Sequence, residues 1–350
     1  MARLCLTLAL LVALGCERES STALAASSDP STAWTIAVIS DLHIPRGGSI
    51  PPILEHVVAA VVAARPRVVV VTGDFTDGDA WDLPWRIVEA PRWWRAARDA
   101  LEPIRAAGIP VLPIAGNHDS ALAPYRTDYA EAWADLDRWA APLRIIGDRQ
   151  PSSGIALAAA PFSYGVDIDH VHLSLAYVVD ESLRPAVANW LARDLDAAHG
   201  ARLRIVFGHV PLSSVVAEPR RGFVEQFGSL LAAGHADLYV AGHEHLVWDE
   251  DIALPGGATI RQVSIGTASA SWRFAPSDAS RRRAHCVDTV SRMHCRLPHD
   301  GTPFDLRNWH GVWFETQPHT FTLITIEGAA ITARAFAVDE HGEVAPFGVP

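Results

Sequence analysis

The sequence predicts an α/β fold: two packed mixed sheets, each flanked by helices. Three observations predict it. Strand-like and helix-like segments alternate through residue 245, after which strands dominate. Runs of β-branched residues such as Val68 to Thr72 fit buried parallel strands. Five of the strand-like runs end in a motif carrying Asp, His or Asn, and the C-terminal strand ends are where an open α/β sheet gathers ligands. With 350 residues, 49% of them hydrophobic, the chain can bury a large core.

Taken in order, Trp34 to Ser40 reads as a strand and Pro51 to Ala64 as a helix opened by prolines. Val68 to Thr72 is a strand. Trp85 to Ala107 is helical, with Pro91 and Pro103 marking ends or kinks and Gly108 stopping it. Pro110 to Ala115 is a strand and Thr127 to Ala140 a helix; Ile155 to Pro161 and Val171 to Val179 read as strands. Arg184 to His199 is a helix with Val187, Leu191 and Leu195 on one face. The strands Leu203 to Phe207 and Asp237 to Ala241 bracket a helix from Gly222 to Ala233. Thr259 to Ile265, Trp313 to Glu315, Thr320 to Glu327 and Ala330 to Val338 are late strands. The aperiodic stretch 271–310 reads as an insertion or cap loop within a domain spanning 33–340.

The five motifs are Asp41-Leu-His43, Gly73-Asp74, Gly116-Asn117-His118-Asp119, Gly208-His209 and Gly242-His243-Glu-His245. In an extended segment Asp41 and His43 point to one side and Leu42 to the other, so both can grip one metal. Asp74 follows four valines; a carboxylate there needs a partner, either a cation or the helix it caps. Asn117 offers an amide oxygen. Asp119 is positioned to bond one nitrogen of His118 and aim the other at a substrate. His243 and His245, two residues apart after one strand, are expected to point together.

The ordered set resembles the calcineurin-like metallophosphoesterase superfamily, over about two hundred residues. The resemblance implies a four-layer αββα sandwich and two metal ions, Fe, Mn or Zn. Asp41, His43 and His245 would hold the first ion, Asn117, His209 and His243 the second, and Asp74 would bridge them. A metal-bridging hydroxide would attack phosphorus in line, while His118 protonates or stabilises the leaving oxygen, oriented by Asp119. Purple acid phosphatases of this superfamily differ at the positions of His43 and Asp77, the latter a metal-binding tyrosine there. The chain is nearer the compact phosphodiesterase and phosphatase members.

The N-terminus carries a targeting pattern: Arg3, then a short apolar run from Leu4 to Leu14, too short to span a bilayer. Ala13-Leu14-Gly15-Cys16 resembles a bacterial lipobox, so 1–15 is expected to be a signal peptide and Cys16 a lipidated anchor on an exported envelope protein. Cleavage near Ala25-Ala26 is the alternative. Residues 16–32, rich in Ser, Ala and Thr, read as a flexible tether. In an oxidising compartment Cys286 and Cys295 are expected to form a disulfide, the alternative being a metal pair with His285 or His294.

A net charge of -11 argues against a nucleic-acid partner, which calls for a basic face. The acidic Asp77, Asp79 and Asp82, in the stretch after the second motif, and the surface run Arg281 to Arg283 complete the charge pattern. The expected function is hydrolysis of small phosphomonoesters or phosphodiesters. A non-catalytic metal-binding lipoprotein and a nuclease of the same superfamily are the alternatives.

Overall fold

The computed structural model describes residues 33–214, 220–270 and 318–347, and three strands between 287 and 306. In chain order, β1 (Trp34–Ile39), α1 (Pro52–Ala64), β2 (Val68–Val71), α2 (Pro84–Ile87), α3 (Ala90–Ala106) and β3 (Val111–Pro113) come first. The middle holds α4 (Asn117–Ser120), α5 (Ala123–Ala132), α6 (Leu136–Ala140), β4 (Ile145–Ile146), β5 (Tyr164–Ile168) and β6 (Val171–Leu175). Then come α7 (Pro185–Ala197), β7 (Leu203–Phe207), α8 (Arg221–Ala233), β8 (Leu238–Ala241), β9 (Trp248–Ala253) and β10 (Thr259–Ser264). The last strands are β11 (Val287–Thr289), β12 (Arg292–Arg296), β13 (Pro303–Leu306), β14 (His319–Glu327), β15 (Ala330–Val338) and β16 (Val344–Phe347).

Two mixed sheets form the centre. One runs β16-β15-β14-β1-β2-β3, the other β4-β5-β6-β7-β8-β10-β9. Strands β1, β2 and β3 are parallel, as are β6, β7, β8 and β10. The late strand β14 pairs antiparallel with β1, so the chain closes its first sheet with its last segment. Period-two alternation explains why four consecutive valines are all buried. Val68 and Val70 join Leu173, Ile205, Phe207 and Val240 in a cluster between the sheets. Val69 and Val71 join Leu54 and Val57 of α1 and Leu101 and Ile104 of α3 on the outer face. On the far side Val187 and Leu191 of α7 and Phe227 and Leu231 of α8 cover the second sheet. The result is the expected four-layer αββα sandwich. Each buried valine contributes roughly 1.5–3 kcal/mol by leaving water.

The structure departs from expectation in several places. Residues 155–161 are not a strand: Gln150 donates to the carbonyls of Ala156, Ala159 and Ala160 and accepts from the Ala156 amide, so the segment is satisfied without a ladder. The edge strand β9 was hidden by its sequence WDEDIA, in which Trp248, Glu250 and Ile252 face inward. Pro103 lies inside α3, in its last turn, where the backbone bond it removes is near the end in any case. The first sheet also includes β16, a short exposed edge strand containing Pro346 that carries little sequence pattern. Strands β11, β12 and β13 form a small antiparallel sheet inside 271–310, the span read as an insertion or cap loop. The signal and tether segments, Cys16, the pairing of Cys286 with Cys295, Arg281 to Arg283 and the strand Trp313 to Glu315 lie outside the described residues.

A buried polar tie joins α7 to the second sheet. Asp194 accepts a hydrogen bond from Ser174 at 2.6 Å and lies 2.9 Å from His172 Nε2, while Asp167 lies 2.7 Å from His172 Nδ1. Burial works against a charged ring, but the two carboxylates outweigh it and raise the His172 pKa above its ordinary 6.5. A raised histidine adds stability below its unfolded pKa and loses it as pH climbs through the folded value. Asp194→Asn is therefore expected to cost about 1–3 kcal/mol near pH 6 and less at pH 9. Urea midpoints at the two pH values measure this; an equal loss at both would show that His172 carries no proton in the fold.

Candidate metal centre

All five motifs converge at the C-terminal ends of parallel strands drawn from both sheets: β1, β2 and β3 of one, β7 and β8 of the other. The strand ends are laced together by backbone bonds from Asp41 to the Gly73 carbonyl, His43 to Asp74 and Gly242 to His209. Close approach depends on small residues. A Cβ at Gly116 would overlap the Asp74 carboxylate, and one at Gly242 would overlap Ser40 and Asp41.

The backbone here is unusual. Asp41, His43, Asp74, His243 and His245 all have positive φ, between 44° and 72°. They are five of the eight non-glycine residues in that region among the described residues. Each such residue costs of order 1 kcal/mol or more, and clusters of them mark functional sites. Asp41 and His43 thus do not converge by strand alternation, as the sequence pattern implied. Left-handed turns aim them, with Leu42 driven into the core.

Two donor groups result. In the first, Asp41 Oδ1 lies 3.1 Å from His245 Nε2 and 3.8 Å from His43 Nε2, and the two Nε2 atoms are 3.2 Å apart. In the second, Asn117 Oδ1 lies 2.9 Å from both His209 Nε2 and His243 Nδ1. Asp74 stands between the groups, its Oδ2 3.6 Å from His43 Nε2 and 3.1 Å from His209 Nε2. His243 and His245 therefore part company, one to each group, because both sit on left-handed backbone instead of an extended strand. The sets Asp41, His43, His245 and Asp74, His209, His243 each bring their ligand atoms within 4.8 Å of one another, and so do His43, Asp74 and His118. All but His118 and His243 in these sets are buried.

The donor chemistry fits metal ions. Asp41 Oδ1 is buried without a hydrogen bond, facing imidazole nitrogens. Convergent carboxylate, imidazole and amide donors in a dry pocket suit Fe, Mn or Zn. The protonation pattern says the same. For Asp41 and Asp74, burial pushes upward but the surrounding histidines prevail and hold both carboxyls low. Burial pushes His43 down, yet Asp41, Asp77 and Asp74 carry it up to about 10. His209 is likewise lowered by burial but raised overall, to about 9, chiefly by Asp74. His243, buried and beside His209, falls to about 4. Without a cation the carboxylates keep protons on His43 and His209.

His118 and Asp119 separate in the structure. The His118 amide donates to Asp74 Oδ1 at 2.9 Å and its ring Nδ1 lies 2.5 Å from the Gly78 carbonyl. Asp119 does not orient that ring. It is fully buried and accepts from the amides of Gly116, Phe75 and Thr76 and from the Thr76 hydroxyl. Burial and Asp74 raise its pKa to about 6 against those hydrogen bonds. Its geometry makes it the staple joining the second and third motifs. Sequence reasoning also missed Gly78 and Thr72, whose carbonyl accepts from His209 Nδ1 at 2.7 Å; backbone acceptors leave no residue signature. Asp77, 3.5 Å from His43 Nδ1, carried a signal in its spacing from Asp74. Asp82 is buried, bonded to Tyr125, Arg46 and Arg86.

Metal uptake must displace the protons on His43 and His209, so affinity is expected to climb as pH rises toward 9–10. Competition of the metal-free protein against a chelator for Zn at pH 6 and pH 8 reads this. Tighter binding at pH 8, beyond the chelator's own change, is expected, and equal affinity would contradict the assigned protonation.

The fold resembles the purple acid phosphatase PPD1 from yellow lupin (Lupinus luteus) seeds, at 12% identity and a TM-score of 0.53, covering 91% of this chain and 54% of that one. The chain thus spans about half the length of the lupin protein. It also resembles GAP50, the anchor in the inner membrane complex of Plasmodium, at 14% identity and a TM-score of 0.51, covering 91% and 89%. At these identities the likeness is one of fold. No curated protein matches at the level of sequence. The family model for calcineurin-like phosphoesterases matches residues 35–247, a span that takes in all five motifs, and the chain belongs to that family.

Proposed function

We propose that this hydrolase cleaves small phosphomonoesters or phosphodiesters at a centre with two adjacent metal positions. The observation that carries the reading is Asp74: one carboxylate oxygen lies within 3.6 Å of donor nitrogens from both groups. Asp41, His43 and His245 would hold one ion, Asn117, His209 and His243 the other, with Asp74 shared. Such ions, when bound, activate water and neutralise charge on phosphoryl oxygens.

The chain's own residues do the rest. The Gly78 carbonyl can only accept, so it fixes the proton on His118 Nδ1 and leaves Nε2 to face the reacting group. A protonated ring then donates Nε2–H to the leaving oxygen. A cleft of about 360 Å³ opens at Asn117 and His243, bordered by Asp180, Glu181, Glu244 and Arg220. Arg220 is paired with Glu181 at 2.6 Å, so the cleft wall stays net acidic. That wall disfavours a polyanion and supports a small phosphoester over DNA. Export and anchoring through Cys16 complete the proposal and place the enzyme in a bacterial cell envelope.

Two variants test the assignment. His118→Asn is expected to keep its metal and lose roughly 10²–10⁴ in rate. Asp74→Asn is expected to lose metal as well as rate. Metal analysis beside turnover of a chromogenic monoester, a chromogenic diester and DNA gives the readout. Metal loss in His118→Asn would overturn its role. Full metal content without turnover on any substrate, with Mn, Fe or Zn supplied, would instead favour a non-catalytic metal-binding lipoprotein. DNA as the best substrate would favour a nuclease.

A further inference from the structure

Four of the five exposed large hydrophobic residues among the described residues fall within eight positions: Trp81, Leu83, Trp85 and Val88. Trp81 is 86% exposed, Trp85 65% and Val88 75%. Trp85 and Val88 are three apart across α2 and share a face. Ordinary surfaces scatter such residues singly; concentrated ones mark an interface.

The segment is built, not loose. Asp82 is buried within it and accepts from the Asp79 amide at 2.8 Å, from Tyr125 at 2.7 Å and from Arg46 and Arg86 at 2.9 and 3.2 Å. The acid is turned inward and the indoles are left outside. The segment also starts at the metal centre, since Gly78 bonds the His118 ring and Asp77 lies beside His43. The apolar patch is therefore on the rim of the site.

We infer that Trp81, Leu83, Trp85 and Val88 form a membrane-contacting rim that seats the mouth of the metal centre on a lipid surface. Indole rings with flanking aliphatic side chains favour the level of the lipid headgroups, where one end of the ring is wet and the other apolar. Arg46 and Arg86, both turned to Asp82, remain partly exposed beside them, as at a headgroup contact.

The N-terminal sequence supports this occupant over a soluble one. Before the described residues lie an apolar run from Leu4 to Leu14, Cys16 and a polar stretch 17–32. Fully extended, that stretch reaches about 55 Å. A domain of this size is roughly 50 Å across. The stretch enters β1 at Trp34, and the metal centre lies at the other end of that parallel strand. An anchor at Cys16 would hold the domain near a bilayer without choosing which end faces it, and the aromatic rim supplies the choice. The rim favours phosphoesters presented in lipid headgroups, a narrowing that rests on the hydrolytic reading; the contact itself does not.

The test uses the full chain with vesicles of phosphatidylethanolamine and phosphatidylglycerol brominated on the acyl chains. Tryptophan fluorescence should be quenched in the unaltered chain and at least twofold less in Trp81→Ser/Trp85→Ser. Both proteins should turn over a soluble chromogenic phosphoester equally, which shows that the double variant is folded. Equal quenching in the two proteins would overturn the rim. So would a concentration-dependent dimer that shields the two indoles from an aqueous quencher and is lost in the variant, since the patch would then cover a second copy. Rim-dependent quenching in a chain that hydrolyses nothing would sustain the contact while removing the enzymatic reading.

Discussion

Two carboxylates and four histidines share a nearly dry space at the junction of two sheets, and the rest of the site follows from that crowding. Asp41 and Asp74 cannot remain charged there without positive charge beside them. Protons on His43 and His209 provide it in the bare protein. A divalent ion can supply the same charge while drawing on lone pairs from three side chains at once. The site is thus arranged so that positive charge must sit among these donors, which a cation can supply.

Such crowding has to be imposed, because the residues would relieve it if the backbone allowed. Five left-handed residues hold the donors in place. Glycines at 116 and 242 let neighbouring loops press within reach, and Asp119 ties the second motif to the third through three amides and a hydroxyl. The strain is sustained by an apolar core in which whole strands such as β2 are buried on both faces. Rigid strands and strained loops thus divide the labour: the sandwich supplies stability, and the strand ends use part of it to hold ligands in convergence.

The segment after the second motif links the site to its surroundings. Its first residues set the His118 tautomer and touch His43, its middle is locked by Asp82, and its outer residues present two tryptophans to solvent. The indole-bearing rim and the His118 ring are thus supported by one continuous piece of chain.

Much of this was legible in the sequence, because the periodicities of strands and helices and the polar residues at strand ends are local properties. The alternation of elements, the valine strand, the four-layer class and the set of nine polar side chains follow from residue types and spacing. Edge strands such as β9 and β16 were not legible, since one charged or short strand has no pattern until a neighbour pairs with it. Residue spacing alone pointed His243 and His245 the same way, and only the family resemblance implied their division between two groups, because that division depends on backbone dihedrals that histidine seldom adopts. Only the tertiary structure showed that Gly78, and not Asp119, orients His118, and that Asp82 is a buried anchor. Those assignments turn on groups that meet across about forty residues of chain, and no local rule of sequence carries that distance.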